Sequence, residues 1–207
     1  MLSQIRPAVV LLALFTLLTG LAYPLAITGI AQVLMPHQAN GSLLPVGGPP
    51  VGSALIGQNF ASDKYFHPRP SATQAQDPAH PDDSSKTIDA PYNAANSTGS
   101  NLGPTSQKLI DRVKADVDAR RAAGVTGPIP ADAVTTSASG LDPHISPDNA
   151  LAQVASVAKA RNLPEDKVRT LVEGHVQGRV LGLIGEPRVN VLLLNMALDA
   201  MAAAPSS

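Results

Sequence analysis

Residues 7–35 read PAVVLLALFTLLTGLAYPLAITGIAQVLM, and no Asp, Glu, Lys or Arg occurs from Pro7 to Ser62. An uninterrupted apolar run of this kind is stable in hydrocarbon, so the sequence predicts a transmembrane helix over Ala8–Met35. A cleaved signal peptide is the competing expectation. Its apolar region would run about 7 to 15 residues, however, and no convincing small-x-small cleavage site follows here. At about 1.5 Å per residue the helix is longer than a roughly 30 Å core requires, so it must tilt, bend at Pro24 or protrude. Arg6 precedes the run and the next cation is Lys64. That asymmetry predicts a cytoplasmic N-terminus, residues 1–7, and an extracytoplasmic (periplasmic) domain, residues 36–207.

On the helix, Thr19, Ala22, Ala26 and Gly29 recur at steps of three, four and three. A stripe of small residues lets a second helix approach closely in lipid, and it is equally the ordinary composition of a membrane helix. With 207 residues in all, the chain has room for one ordinary domain beside the anchor. Fifteen Lys and Arg against 16 Asp and Glu leave no bias toward polyanions, and no nucleic acid is expected as a partner. No cysteine is present, which excludes disulfides and thiolate chemistry.

After the anchor, two apolar runs flank Gly47, Gly48, Pro49 and Pro50, a hairpin signal. DPAHPDDSSKTID, residues 77–89, is polar and broken by prolines, and predicts a surface loop. A helix is expected from about Ser106 to Ala123, ended by Gly124, with Leu109, Ile110, Val113 and Val117 on one side. AVTTSAS, residues 133–139, fits a short strand. Ser146 and Pro147 open a second helix with the stripe Leu151, Val154, Ala155 and Ala158. Pro164 opens a third, carrying Val168, Leu171, Val172 and His175. RVNVLLLNM, residues 188–196, predicts a buried strand, and Ala197–Ala204 a short helix. Mixed without regular alternation, these elements give an α+β class: a single N-terminal transmembrane helix followed by one compact mixed domain.

The sequence offers no catalytic constellation. His37, His67, His80, His144 and His175 are never three or four apart, so no helix offers two of them to a metal. Nucleophile-elbow, Walker and dinucleotide-binding patterns are absent. Ser71, beside His67, is expected to be a turn residue and not a nucleophile. His175 is expected to be a hydrogen-bonded core or edge histidine. The helix pair joined by Asn162–Pro164 balances Lys159, Arg161, Lys167 and Arg169 against Asp148, Glu165, Asp166 and Glu173. DNA binding requires a basic face, which this is not.

Four stretches go further: VGSALIGQNF with YFHPRPSA, GSNLGPTS, VTTSASGLDPHISP, and GRVLGLIGEPRVNVLLLN. In this order behind one anchor they resemble the C subunit of the Kdp-type potassium-transporting ATPase, over nearly the whole chain. The resemblance implies an accessory subunit of a high-affinity, ATP-driven potassium import complex in the bacterial inner membrane. Its implied partners are a pore-forming, potassium-binding subunit, a P-type ATPase subunit that hydrolyses ATP, and membrane lipid. It also implies assistance to ATP binding, so ATP and potassium are expected at the level of the complex and no cofactor on this chain. Because only residues 1–7 are expected on the ATP side, that effect would pass through the helix, and no ATP-contacting residue is assigned. The alternative is a stand-alone, membrane-anchored envelope hydrolase or binding protein.

One stretch remains, SALIGQNFASDKYFHPRPSA, residues 53–72, with three of the chain's six rings. Pro68 and Pro70 fix φ and extend the residues before them, giving a stiff segment. Tyr65, Phe66, His67 and Arg69 on such a segment are candidate partner-interface residues, and the rings are equally candidates for the core of an aromatic-poor domain.

Overall fold

The computed structural model describes residues 2–45, 47–122 and 124–203. Ala123 and Ala204, expected helix ends, lie outside the described residues. The chain divides into two compact units after Ser53, whereas the sequence places its boundary after Met35.

In the first unit, a continuous helix over Ile5–Leu34 is long and apolar enough to cross a membrane. It comprises α1 (Ile5–Leu17), a π-helical turn (Leu18–Ala22) and α2 (Tyr23–Leu34). Pro24 explains the turn, since it has no N–H to donate and its ring crowds the carbonyl four residues back, at Gly20. The helix widens there, and the Tyr23 N–H reaches back five residues to the Leu18 carbonyl. The Thr19 hydroxyl donates to the Phe15 carbonyl at 2.7 Å, so it is used within the helix. The extra π residue offsets Thr19 from the regular register that holds Ala26 and Gly29 on one face. After the short helix α3 (Pro36–Ala39), β1 (Leu43–Pro45) and β2 (Pro50–Ser53) form the expected hairpin, with Leu44 opposite Gly52.

The second unit contains a β3 (Gln74–Gln76) and β4 (Thr87–Asp89) hairpin, helix α4 (Gln107–Ala122), and a three-stranded antiparallel sheet. That sheet has the order β5 (His144–Ile145), β7 (Arg188–Asn190), β6 (Val176–Gln177). Helices α5 (Pro147–Arg161), α6 (Glu165–Gly174) and α7 (Val191–Ala203) complete it. The core joins Phe66, Ile145, Val154, Val157, Val168, Val172, Val189, Leu194 and Leu198. Ser146 caps α5 by accepting the Asn149 N–H at 3.1 Å, and Asn162 ends it at φ +54.

Five local expectations change. The TID at the end of the predicted loop pairs with β3, Ala75 opposite Ile88, so the loop is shorter than expected. AVTTSAS is not a strand but a 3-10 turn at Ala131–Ala133 followed by bends. Its own hydroxyls compete with a ladder: Thr135 Oγ1 donates to Ala131 O at 2.7 Å, and Ser139 Oγ accepts the Leu141 N–H at 3.1 Å. RVNVLLLNM is strand only through Asn190, whose side chain accepts the Leu193 N–H at 3.1 Å and so starts a helix. From there Val191, Leu194, Asn195 and Leu198 are buried at helical spacing. On α5 the inner face is Ala150, Gln153, Val154, Val157 and Ala158, while Ala155 is exposed, because polar Asn149 and Gln153 turn inward. None of α4 is fully buried, and Ile110 is exposed.

Candidate functional site

Residues 66–70 belong to no helix or strand, so their peptide groups need other partners. Two amide side chains supply them. Asn195 on α7 accepts the Phe66 N–H at 2.9 Å and donates to the Phe66 carbonyl at 3.0 Å. Gln153 on α5 does the same for His67, at 2.7 and 3.2 Å. Pro68 and Pro70 bring no N–H that would need a partner. Gln153 also donates to Asn149 Oδ1 at 3.1 Å, and Asn149 donates to Asp132 at 3.1 Å. Asp132 accepts the Ser146 N–H at 2.7 Å and its hydroxyl at 2.8 Å. A connected polar chain thus runs from the HPRP backbone to the cap of α5, each member satisfied by the next.

Phe66 enters the core with 0% exposure, so of the two readings of the rings the structure places Phe66 inside. Tyr65 is half-buried, its hydroxyl 3.2 Å from Asp199 Oδ2, and the Arg161 guanidinium lies over its ring at 4.7 Å. Arg161 also pairs with Asp199 at 2.7 Å and donates to the Lys64 carbonyl. His67 holds its Nδ1 2.7 Å from the Phe60 carbonyl, an acceptor, which assigns the proton to Nδ1.

Arg69 donates to Asp142 Oδ2 at 3.1 Å and to the Thr136 carbonyl at 3.3 Å. The other Asp142 oxygen accepts the His144 N–H at 3.0 Å. Burial pushes the Asp142 carboxyl up, but the hydrogen bonds from His144 and the charge of Arg69 outweigh it and hold the group below its ordinary value. Tyr92 donates to the Arg69 carbonyl at 2.9 Å from a backbone at φ +62. Burial first, and the Asp142 charge second, lift its phenol above the usual range. Gly57 is required beside it: an added Cβ would collide with the Tyr92 ring and stand 2.7 Å from the Asp142 carbonyl.

Three of the quoted stretches thus meet through separate bonds: the Gly57 N–H donates to the Leu141 carbonyl at 2.8 Å, Arg69 to Asp142 at 3.1 Å, and Asn190 to the Ala54 carbonyl at 2.8 Å. Arg69, Asp132, Asp142 and His144 border a polar cleft of about 610 Å³. Among the described residues no group of three His, Cys, Asp or Glu is placed to hold a metal. Ser71 donates to the Gly140 carbonyl at 2.8 Å and accepts the Tyr92 N–H at 3.1 Å, so its hydroxyl ties distant loops together. His175 ends α6 with Nδ1 2.8 Å from the Leu171 carbonyl. The Asn195 and Gln153 clamps escape sequence reasoning. Their one trace is an amide on an otherwise apolar stripe, in VLLLNM and ALAQVA.

Fold and site define a chain with one apolar N-terminal helix and an internally braced, mixed α and β domain. Residues 5–200 match the family described as KdpC: K+-transporting ATPase, c chain, and the chain belongs to that family. It is 64% identical over 203 residues, 98% of this chain and 100% of the relative, to a potassium-transporting ATPase KdpC subunit from Bradyrhizobium diazoefficiens. Subunits of the same name from Rhodopseudomonas palustris and Methylobacterium nodulans are 64% and 63% identical, over 97% and 98% of this chain and 99% of each relative. Family and apolar helix together point to a membrane-anchored subunit of the K+-transporting ATPase, in place of a stand-alone envelope hydrolase or binding protein.

Proposed function

We propose that this chain is the accessory subunit of a high-affinity potassium import complex, required for its assembly and activity, with ATP hydrolysis on a separate P-type ATPase subunit. The observation that carries this reading is the family match, which spans both units from residue 5 to residue 200. The lack of acidic or basic residues between Pro7 and Ser62, with Arg6 ahead of them, favours an N-terminus in the cytoplasm and a domain outside the bacterial inner membrane. In that orientation any help to ATP binding passes through the helix and its lipid surroundings, and ATP and potassium are bound by the other subunits. Ala22, Ala26 and Gly29, with Thr19 one π turn away, are the helix face proposed to meet a pore-forming partner. Tyr65, His67 and Arg69 are proposed to hold the outer domain in the shape that its partners recognise.

Affinity purification of the tagged full chain from membranes tests the reading. The pore-forming and P-type ATPase chains should co-purify, and potassium-stimulated ATP hydrolysis should fall when the chain is removed from the complex. Purification of the chain alone, with the remaining ATPase fully active without it, would overturn the proposal.

A further inference from the structure

Asn40 is followed by Gly41, the single Asn–Gly pair in the sequence. In such a pair the nitrogen of the second residue can attack the amide carbon of the first, and glycine has no side chain to hinder the approach. Both residues are exposed at the turn between α3 and β1, where Gly41 stands at φ +85. The fold holds the two reacting groups apart. The Gly41 N–H donates to the Gln38 carbonyl at 3.0 Å. The Asn40 amide exchanges two hydrogen bonds with the Gln32 amide: Gln32 Nε2 donates to Asn40 Oδ1 at 3.2 Å, and Asn40 Nδ2 to Gln32 Oε1 at 3.1 Å. Asn40 Nδ2 also donates to the Pro36 carbonyl at 2.7 Å. Gln32 belongs to α2, so the last turns of the apolar helix are clasped to the turn that follows it. Attack requires the Asn40 amide to leave this clasp, and an exposed amide pair is a weak lock.

We propose that Asn40 is a site of spontaneous deamidation, held in check by Gln32. The Gly41 nitrogen bonds to Asn40 Cγ, the Cγ–Nδ2 bond breaks, and the proton released by Gly41 leaves with the departing nitrogen as ammonia. Water then opens the cyclic imide at either carbonyl, giving aspartate or isoaspartate. Solvent is the only co-reactant, and no electrons are exchanged. The product carboxylate has no N–H, so it gives up the bonds to Gln32 Oε1 and to the Pro36 carbonyl. It also places a negative charge in the stretch from Pro7 to Ser62, which otherwise holds no acidic or basic residue. Conversion therefore opens the clasp at the end of the apolar helix.

The test ages the full chain, purified in detergent, at mildly alkaline pH and follows the peptide carrying Asn40 by mass spectrometry. Asn96, exposed and followed by Ser97, serves as the internal reference. Gln32→Ala keeps a good helix former on α2 and should speed the conversion of Asn40 about fivefold, the population change expected from losing one ordinary hydrogen bond. Gln32→Glu still accepts from Asn40 Nδ2 but cannot donate to Oδ1, and its rate should fall between the two. In Asn40→Asp, which carries the product side chain, the N–H groups of residues 40–42 should exchange with solvent faster than in wild type, because their bonds to the Pro36, Gln38 and His37 carbonyls lose the clasp that steadies them. A rate in Gln32→Ala no higher than in wild type would overturn the role given to Gln32. Conversion of Asn40 no faster than that of Asn96, even in Gln32→Ala, would overturn the site itself. Unchanged hydrogen exchange in Asn40→Asp would overturn the opening of the clasp.

Discussion

The HPRP segment and the loop at residues 179–186 are both stiff, irregular connections in the same domain, yet they face opposite ways. The first carries aromatic rings and an arginine, the residue types most favoured at interfaces, and turns Phe66 into the core while Arg69 closes on Asp142. The second has no ring and leaves four aliphatic side chains in the open. The difference lies in their backbone partners. HPRP is clamped by amides from α5 and α7, whereas the loop bonds chiefly to itself. Residue type alone therefore does not locate an interface; the decisive fact is what the surrounding elements offer the peptide groups.

Substitutions can break this contrast. Phe66→Ala should have the largest effect, because it opens a cavity between α5, α7 and the sheet. A loss of about 3 to 5 kcal/mol of folding stability is expected from thermal or urea unfolding of the full chain in detergent. A near-neutral result would mean that the segment is not held in the core. Arg69→Ala comes next. It removes charge-assisted bonds to Asp142 and Thr136 from a half-buried site, and about 1 to 3 kcal/mol should be lost. Arg69→Lys should restore only part of this, since an ammonium cannot reproduce the two-armed contact. If Arg69→Ala unfolds like wild type while the complex loses its pore-forming chain, the residue serves the partner and not the fold.

Acid titration sharpens the same pair with a smaller effect. The folded Asp142 carboxyl titrates below its unfolded value of about 3.9, so the ionised group stabilises the fold at neutral pH. That stabilisation is lost as pH falls through the folded value. Asp142→Asn should therefore unfold with a shallower pH dependence than wild type below about pH 4. Asp77 and Asp83, held low by N–H and hydroxyl donors within their own loop, contribute equally to both proteins and cancel in the comparison. Parallel curves would show that Asp142 is not engaged as described. At the small end, Leu183→Ser should change stability by no more than about 0.5 kcal/mol, because Leu183 is covered by nothing in this domain.

Much was legible in the sequence because its causes are local. A long apolar run suits a helix of membrane-crossing length, Ser146 followed by Pro147 opens a helix, and the glycines and prolines after Leu44 turn a hairpin. The family could be read for a related reason: three of its four stretches supply Gly57, Arg69, Asp142 and Asn190, whose contacts tolerate few other residues. Tertiary structure alone decided the rest. The bond from Phe66 to Asn195 spans 129 residues and that from His67 to Gln153 spans 86, separations at which no periodicity or capping rule operates. The same applies to the end of β7, where the Val191 N–H finds the distant Pro143 carbonyl at 2.9 Å, whereas the Asn190 side chain that accepts the Leu193 N–H is a local helix cap. A local pattern sets which conformations a segment can adopt. Which of them is occupied depends on distant groups that satisfy its buried N–H and carbonyl groups, because leaving those unpaired costs more than local propensity returns.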